Sequence, residues 1–307
     1  MYHRQLNPKR QIYFIDNPDF YTQTELDLLD SIEGSNIILC DDLYWNAQGG
    51  RPEILPERQI SNISYARKFF DSEWLLHIDV DELLHTSLDI GQILSTQPRE
   101  VSEFRIQNVE RLIVRGQERW DTGTIRLPCY DQNMIDKYYK DRKHFLGMGL
   151  SNYYHGKSFV RNVRQVFQSV HGSIHEQKYK EIVKMQFKLE DMVVIHYPFI
   201  CMIQFLQRSI NKHYTVLRSR KFPHEYRLDR YIDQNGNNKD VIKQVALFIH
   251  TCTEAESRLW ISVGLCGTMP DLVTQRVEAC VLDGDGLSLS YMDRQFSEFL
   301  SRLSKQG

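Results

Sequence analysis

Short apolar runs alternate with segments of helical period through the first third of the chain, a pattern that predicts βα units around a sheet. Residues 11–15 (QIYFI) read as a strand, closed by Asp16-Asn17-Pro18-Asp19. Thr22 is placed to cap a helix whose apolar positions include Leu26, Leu28, Leu29 and Ile32, with Gly34 at its end. Residues 36–40 (NIILC) read as a second strand running into Asp41 and Asp42. After the turn-rich stretch 49–56, Ile60, Ile63, Ala66, Phe69 and Phe70 supply the apolar face of a helix over 59–70. A third strand is expected over 74–78, where an apolar run stops abruptly at Asp79-Val80-Asp81-Glu82.

Three successive strand exits thus carry acids: Asp16, the pair Asp41 and Asp42, and Asp79 with Asp81. In a parallel sheet these exits share one edge, where open α/β sheets place ligand chemistry. The same letters also suit a strand followed by an acidic first helical turn, which stabilises a helix without any ligand.

Two further strands are expected between 101 and 114, with Phe104, Ile106 and Val109 facing inward, and then an irregular stretch over 116–136 around Trp120. Residues 157–163 and 165–170 suit a hairpin or two edge strands, leaving through Val170-His171-Gly172. Helices are expected over 203–214, 241–250 and 291–303, while 260–263 admits either strand or helix. The expected architecture is α/β: residues 1–197 form a Rossmann-like, mainly parallel sheet with flanking helices, and 198–307 a largely helical extension.

Composition narrows the function. A formal net charge of -2 over 307 residues gives no reason to expect a nucleic-acid partner or a polybasic membrane anchor. With 16 Tyr and 15 Phe the chain has the aromatic content of packed globular structure. Its 6 cysteines lack the short paired spacing of a zinc knuckle and are too few for a disulfide scaffold of this length. Most of them read as buried thiols of a reducing compartment. Neither a signal core at the start nor an apolar run approaching the ~20 residues of a bilayer span is present. The expectation is a cytoplasmic protein, with peripheral contact at the inner face of the membrane left open.

The candidate chemistry centres on Asp79 and Asp81. Oxygen ligands suit Mg²⁺ or Mn²⁺, and a diphosphate would complete the coordination. Paired carboxylates without a partner repel each other, so a cation supplies a reason to keep them together. Among the 11 histidines, His171 follows a strand beside Gly172 and can reach a cation, although a lone loop histidine more often has no special role. His175 and Glu176 would enlarge a polar site there, whereas His196, after the apolar run 192–195, reads at least as well as structural. Lys157, Arg161 and Arg164 suit phosphate contacts or a solvated basic edge. Trp120-Asp121 offers an indole for a sugar face beside a carboxylate able to deprotonate a hydroxyl, or a packed tryptophan with a loop-capping acid.

Asp16-Asn17, Asn62 with Ala66-Arg67, and Trp74 to Glu82 (WLLHIDVDE) together resemble the family 2-like glycosyltransferases of GT-A fold, in the group with an Asp-x-Asp-Glu motif. Gly156 to Arg161 (GKSFVR), Val170-His171-Gly172, His196-Tyr197-Pro198 and Gln204-Phe205-Leu206 extend the resemblance in order, over residues 2–215. It implies a metal-dependent transferase moving a sugar from a nucleotide-sugar donor to a glycan or other hydroxyl acceptor by an inverting displacement. Carried over residue by residue, Asp79 meets the ribose or a metal-bound water, Asp81 and the later His171 hold Mn²⁺ or Mg²⁺, and Asp16 lies near the base. Glu82 supports the turn, Lys157 or Arg161 organises the diphosphate, and Asp121 and Glu176 are the candidate bases. Relatives carry a strand and helix ahead of the segment matched by Tyr2-His3-Arg4, so the resemblance begins after that opening unit. Two other classes stay open: a carbohydrate- or nucleotide-binding protein on an impaired GT-A scaffold, and a metal-dependent phosphoryl-transfer enzyme, for which no Gly-rich phosphate loop is present.

Overall fold

A computed structural model describes residues 2–69, 71–151, 153–163, 166–175, 183–198, 239–280 and 288–303. The chain is mixed α/β and divides into two compact units, each assembled from separate stretches. Met1–Ile78, Thr86–Gln107 and Gly156–Met192 make the first; Asp79–His85, Asn108–His155 and Val193–Gly307 make the second.

In the first unit, β1 (Gln11–Ile15) and β2 (Ser35–Leu39) form a two-stranded parallel sheet in which Gln11 faces Ser35 and Ile15 faces Leu39. The crossover helix α1 (Gln23–Asp30) opens on a capping box: the Thr22 hydroxyl accepts from the Glu25 amide at 3.3 Å, and the Glu25 carboxylate accepts from the Thr22 amide at 2.8 Å. Asp41 is employed as the N-cap of α2 (Asp42–Ala47), accepting from the Tyr44 amide at 2.8 Å. The longer α3 (Leu55–Phe69) starts earlier than its apolar face suggests, and the short α4 (Ile90–Ser95) follows later in the same unit. Cys40, Tyr44 and Trp45 pack with Phe14, Ile38 and Tyr65.

From this point the chain departs from the expected parallel sheet. The short β3 (Trp74–Leu76) runs antiparallel to β7 (Lys157–Arg161), and β7 runs antiparallel to the first half of β5 (Val101–Val114). On that half β10 (Val183–Gln186) pairs in parallel. The strand β8 (Val166–Gln168) forms its hairpin with β9 (Ser173–His175) and not with β7, so Val170-His171-Gly172 lies in the turn. Trp74, Phe104 and Phe187 make consecutive ring contacts at 5.8 and 5.0 Å. Where two strands were expected, β5 is one strand of 14 residues. It is buried on both faces over most of its length, so apolar and polar positions do not mark a break.

In the second unit, β5 continues antiparallel to β6 (Thr124–Arg126), which pairs antiparallel with β13 (Cys266–Thr268), while β12 (Thr251–Cys252) joins β5 in parallel. On the other side of β5 lies β11 (Met192–His196), followed by β4 (Glu82–Thr86). The helices α5 (Gln132–Tyr139), α6 (Lys239–His250) and α7 (Glu254–Ser262) enclose a core of Leu112, Tyr139, Ile249, Trp260 and Leu265. Two more helices follow, α8 (Asp271–Glu278) and α9 (Leu289–Leu303).

The nine strands connected through β5 therefore form a mostly antiparallel sheet, in place of the mainly parallel one expected. The physical reason lies in the connections. A parallel neighbour needs a crossover of about a dozen residues or more. Only residues 115–123 separate β5 from β6, which pair antiparallel in this sheet.

One glycine is demanded by this packing. Gly156, entering β7, has φ +71°, and a Cβ there would stand 1.9 Å from the Ile106 carbonyl oxygen. Gly156→Ala is expected to destabilise the protein by at least about 2 kcal/mol, since strain and a clash with backbone act together. Denaturant titration checks this, and an unchanged midpoint would contradict the register of β7 on β5.

Candidate functional site

The acidic run is neither a strand exit in a parallel sheet nor the first turn of a helix. Residues 79–82 form a tight turn leading into β4. The Glu82 amide donates to the Asp79 carbonyl at 3.1 Å, and the Asp79 amide donates to Glu82 Oε2 at 2.8 Å, closing the turn from both ends. Val80 stands at its tip, 100% exposed, while Asp81 and Glu82 are buried. Tyr153 donates its hydroxyl to Glu82 Oε1. Burial, then the charge of Glu82 and this hydrogen bond, with Asp79 and Asp81 behind them, hold the Tyr153 phenol well above its ordinary value of 10.0. It therefore stays a donor throughout the neutral range.

Asp81 is held on both of its polar ends. Its carbonyl accepts from the Tyr197 amide at 2.8 Å, and its Oδ2 lies 3.5 Å from Nε2 of His196, the last residue of β11. The buried imidazole sits 5.5 Å from the Tyr153 ring. On its other side Nδ1 faces Glu110 Oε1 at 4.0 Å, an electrostatic contact too long for a hydrogen bond. Glu110, fully buried in β5, accepts at Oε2 from the Ser151 amide at 2.7 Å, the Ser151 hydroxyl at 2.9 Å and Arg126 Nη1 at 3.1 Å. Arg126 in turn donates to the Ile249 carbonyl at 2.6 Å. Burial pushes the Glu110 carboxyl up, but Arg126, His196 and the Ser151 amide outweigh it and hold it below the ordinary 4.5. The result is a buried series running from the turn inward: carboxylate, imidazole, carboxylate, guanidinium.

Glu110, Arg126 and Ser151 were not among the sequence candidates. A signal for the first existed in the charged pair Glu110-Arg111 directly ahead of the apolar Leu112-Ile113-Val114, since such residues are seldom buried unless paired. His196, read as structural, is the side chain that the fold sets against Asp81.

Asp121 also belongs to the second unit, in the loop between β5 and β6. Its carboxylate is buried and gripped by Arg119 through two hydrogen bonds of 2.9 and 2.6 Å. It is a loop anchor, so the role of base does not carry forward. Beside it, Arg111 donates to the Thr122 and Arg119 carbonyls, and burial draws its guanidinium down to about 10 against the opposing charges of Tyr197 and Asp121. Thr122, Gly123, Met269 and Thr274 line part of a cavity of about 340 Å³ in the same unit.

The remaining candidates lie in the first unit. Asp16 Oδ2 pairs with Arg58 at 3.0 Å and Arg51 at 3.3 Å. Lys157 is fully buried, with Nζ 3.4 Å from the Val170 carbonyl. Arg161 donates to the carbonyls of Val101 at 2.8 Å, Pro98 at 2.9 Å and Gln97 at 3.2 Å, pairs with Glu73, and lies 4.3 Å over the Trp74 ring. Its guanidinium thus holds β7 against its surroundings. His171 sits in the β8–β9 turn, where its carbonyl accepts from the Ser158 hydroxyl at 3.3 Å. Glu103 fastens that turn by accepting from Ser158 at 2.8 Å and from the Ser173 amide at 3.3 Å. Glu176 and residues 204–206 lie outside the described residues.

Among the described residues no group of three or more His, Cys, Asp or Glu side chains is gathered as a cation site. The acidic turn still offers the oxygen donors that Mg²⁺ and Mn²⁺ take, and oxygens of a bound diphosphate would complete the shell. Among the described residues, too, no helix is long and apolar enough to cross a membrane. No known family model matches the chain, and neither a curated protein nor a solved structure matches it.

Proposed function

We propose that this chain is a metal-dependent glycosyltransferase of GT-A type, moving a sugar from a nucleotide-sugar donor to a hydroxyl of a glycan or other acceptor by an inverting displacement. The observation that carries the reading is the turn 79–82, which presents Asp79 beside a buried Asp81 seated 3.5 Å from His196. Asp79 and Asp81 would hold Mn²⁺ or Mg²⁺, with His196 as the neighbouring nitrogen donor. When bound, the cation neutralises charge on the departing nucleoside diphosphate. The protein's own part is to keep the turn from moving. Glu82 and Tyr153 lock its backbone, and the Tyr197 amide fixes Asp81. In the displacement the acceptor oxygen bonds to the anomeric carbon as the bond from that carbon to the diphosphate oxygen breaks. The acceptor proton passes to a base, for which Glu176 is a candidate.

A second reading is favoured by one observation. Lys157 and Arg161, expected on the diphosphate, are buried and bonded within the fold, as suits a GT-A-like protein that binds a nucleotide or carbohydrate without transferring it. Calorimetry of the full chain against UDP-, GDP- and dTDP-sugars, with and without Mn²⁺, followed by a hydrolysis assay on any binder, separates the two. Mn²⁺-dependent binding with turnover is the expected result. Binding without turnover favours the second reading, and no binding to any donor sinks the transferase.

A further inference from the structure

We infer that Trp120 is the platform on which the acceptor sugar lies, so that the loop over 117–123 selects a neutral pyranose ring; the inference rests on the transferase reading above. Several polar groups near this indole are tied back into the second unit. Arg111 donates to the Arg119 carbonyl at 2.8 Å and the Thr122 carbonyl at 3.3 Å. Gln117 Nε2 donates to the same Arg119 carbonyl at 2.7 Å and to the Thr122 hydroxyl at 2.5 Å. Arg119 clamps Asp121 and reaches Glu278 at 2.8 Å, and the Glu118 carbonyl accepts from the Leu289 amide at 2.9 Å. Burying a guanidinium is unfavourable unless its donors are used; here Arg111 uses Nε and Nη2 to set the shape of a loop, while its buried Nη1 has no hydrogen-bond partner among the described residues.

The side chain at the centre of that loop is a half-buried indole. Trp120 and Tyr197 make a T-shaped contact, with ring centroids 5.5 Å apart and planes at 79°, and the Tyr197 amide is the group that fixes Asp81. Two contacts therefore connect the indole to the acidic turn. Arg119 neutralises Asp121 next to it, so the immediate surroundings favour an uncharged ring over a phosphate. The apolar C–H face of a pyranose is such a ring, and a pre-set aromatic plane binds it with little loss of side-chain freedom.

The test uses the full chain, Trp120→Ala and Trp120→Phe, titrated calorimetrically with linear oligosaccharides of glucose, mannose, galactose and N-acetylglucosamine, and separately with the nucleotide sugars plus Mn²⁺. At least one oligosaccharide should bind the parent, about tenfold more weakly to Trp120→Ala, with Trp120→Phe recovering most of the loss. Circular dichroism and a cooperative thermal melt show whether both variants are folded, and donor binding should change by no more than about twofold. Equal oligosaccharide binding by all three proteins, or none by the parent, overturns the inference. Loss of donor binding in both folded variants also overturns it, because the indole would then stack on the nucleobase. If Trp120-dependent oligosaccharide binding appears but no donor binds the parent, the sugar platform stands and the transferase falls.

Discussion

Replacing Asp81 with alanine should abolish Mn²⁺-dependent nucleotide-sugar binding, lowering donor affinity by about a hundredfold or more while the protein stays folded. The size follows from what Asp81 does. It is the buried aspartate of the turn, held at its carbonyl by the Tyr197 amide and facing His196 with its carboxylate at 3.5 Å. Alanine keeps the first contact, a backbone one, so the turn should persist. It removes the carboxylate, leaving Asp79 as the turn's remaining aspartate. His196 still faces Glu110 at 4.0 Å, so the cost to stability should be about 1–3 kcal/mol and not the loss of the fold. Asp81→Asn separates charge from shape: it keeps the size of the side chain but not its anionic oxygens, and donor binding should fall nearly as far as in Asp81→Ala. Calorimetry with donor and Mn²⁺ reads both. Full binding by either variant would exclude Asp81 from the cation site.

Arg126→Met should have the largest effect on stability, about 3–5 kcal/mol, because it leaves Glu110 buried with its main countercharge gone. Both members of this pair are fully buried, so water cannot replace the lost partner. The pH dependence should also change sign. In the parent, the Glu110 carboxyl sits below its ordinary 4.5, so its contribution is present above that value and is lost as the pH falls through the depressed one. Without Arg126, burial dominates and the folded-state pKa rises above the unfolded one. The folded protein then binds the extra proton, and stability falls as pH rises. Thermal melts of Arg126→Met should therefore gain, relative to the parent, on going from about pH 7 to about pH 5. A parallel loss in both proteins would rule out Arg126 as the group that keeps Glu110 ionised.

Much of the local structure was legible from residue patterns. The strand over 11–15, the Thr22 cap, and the helices ending at His250 and Leu303 follow from apolar period and capping chemistry, which operate over a few residues. The split predicted within 101–114 did not occur, because a strand buried on both faces carries no alternation to read. The candidate site was legible only in part. Asp79 and Asp81 stand out because consecutive acids after an apolar run are conspicuous. Glu110 and Ser151, which hold one another across 41 residues of chain, do not. Nor could residue type show that Arg161 would be bonded to three carbonyls or Asp121 to Arg119, since an exposed phosphate ligand and a buried strut have the same letters.

The sequence by itself determined some local elements, among them the strand over 11–15, the Thr22 cap and the helices ending at His250 and Leu303, since those depend on side-chain periodicity and on hydrogen bonds between near neighbours. Tertiary structure alone decided that β3 lies antiparallel to β7, that 79–82 is a closed turn, and that His196 stands beside Asp81. Strand partners are chosen by which buried faces fit once the chain has collapsed, and a carboxylate acquires its character from charges far away in sequence. Both are properties of distance in space, which the order of residues does not display.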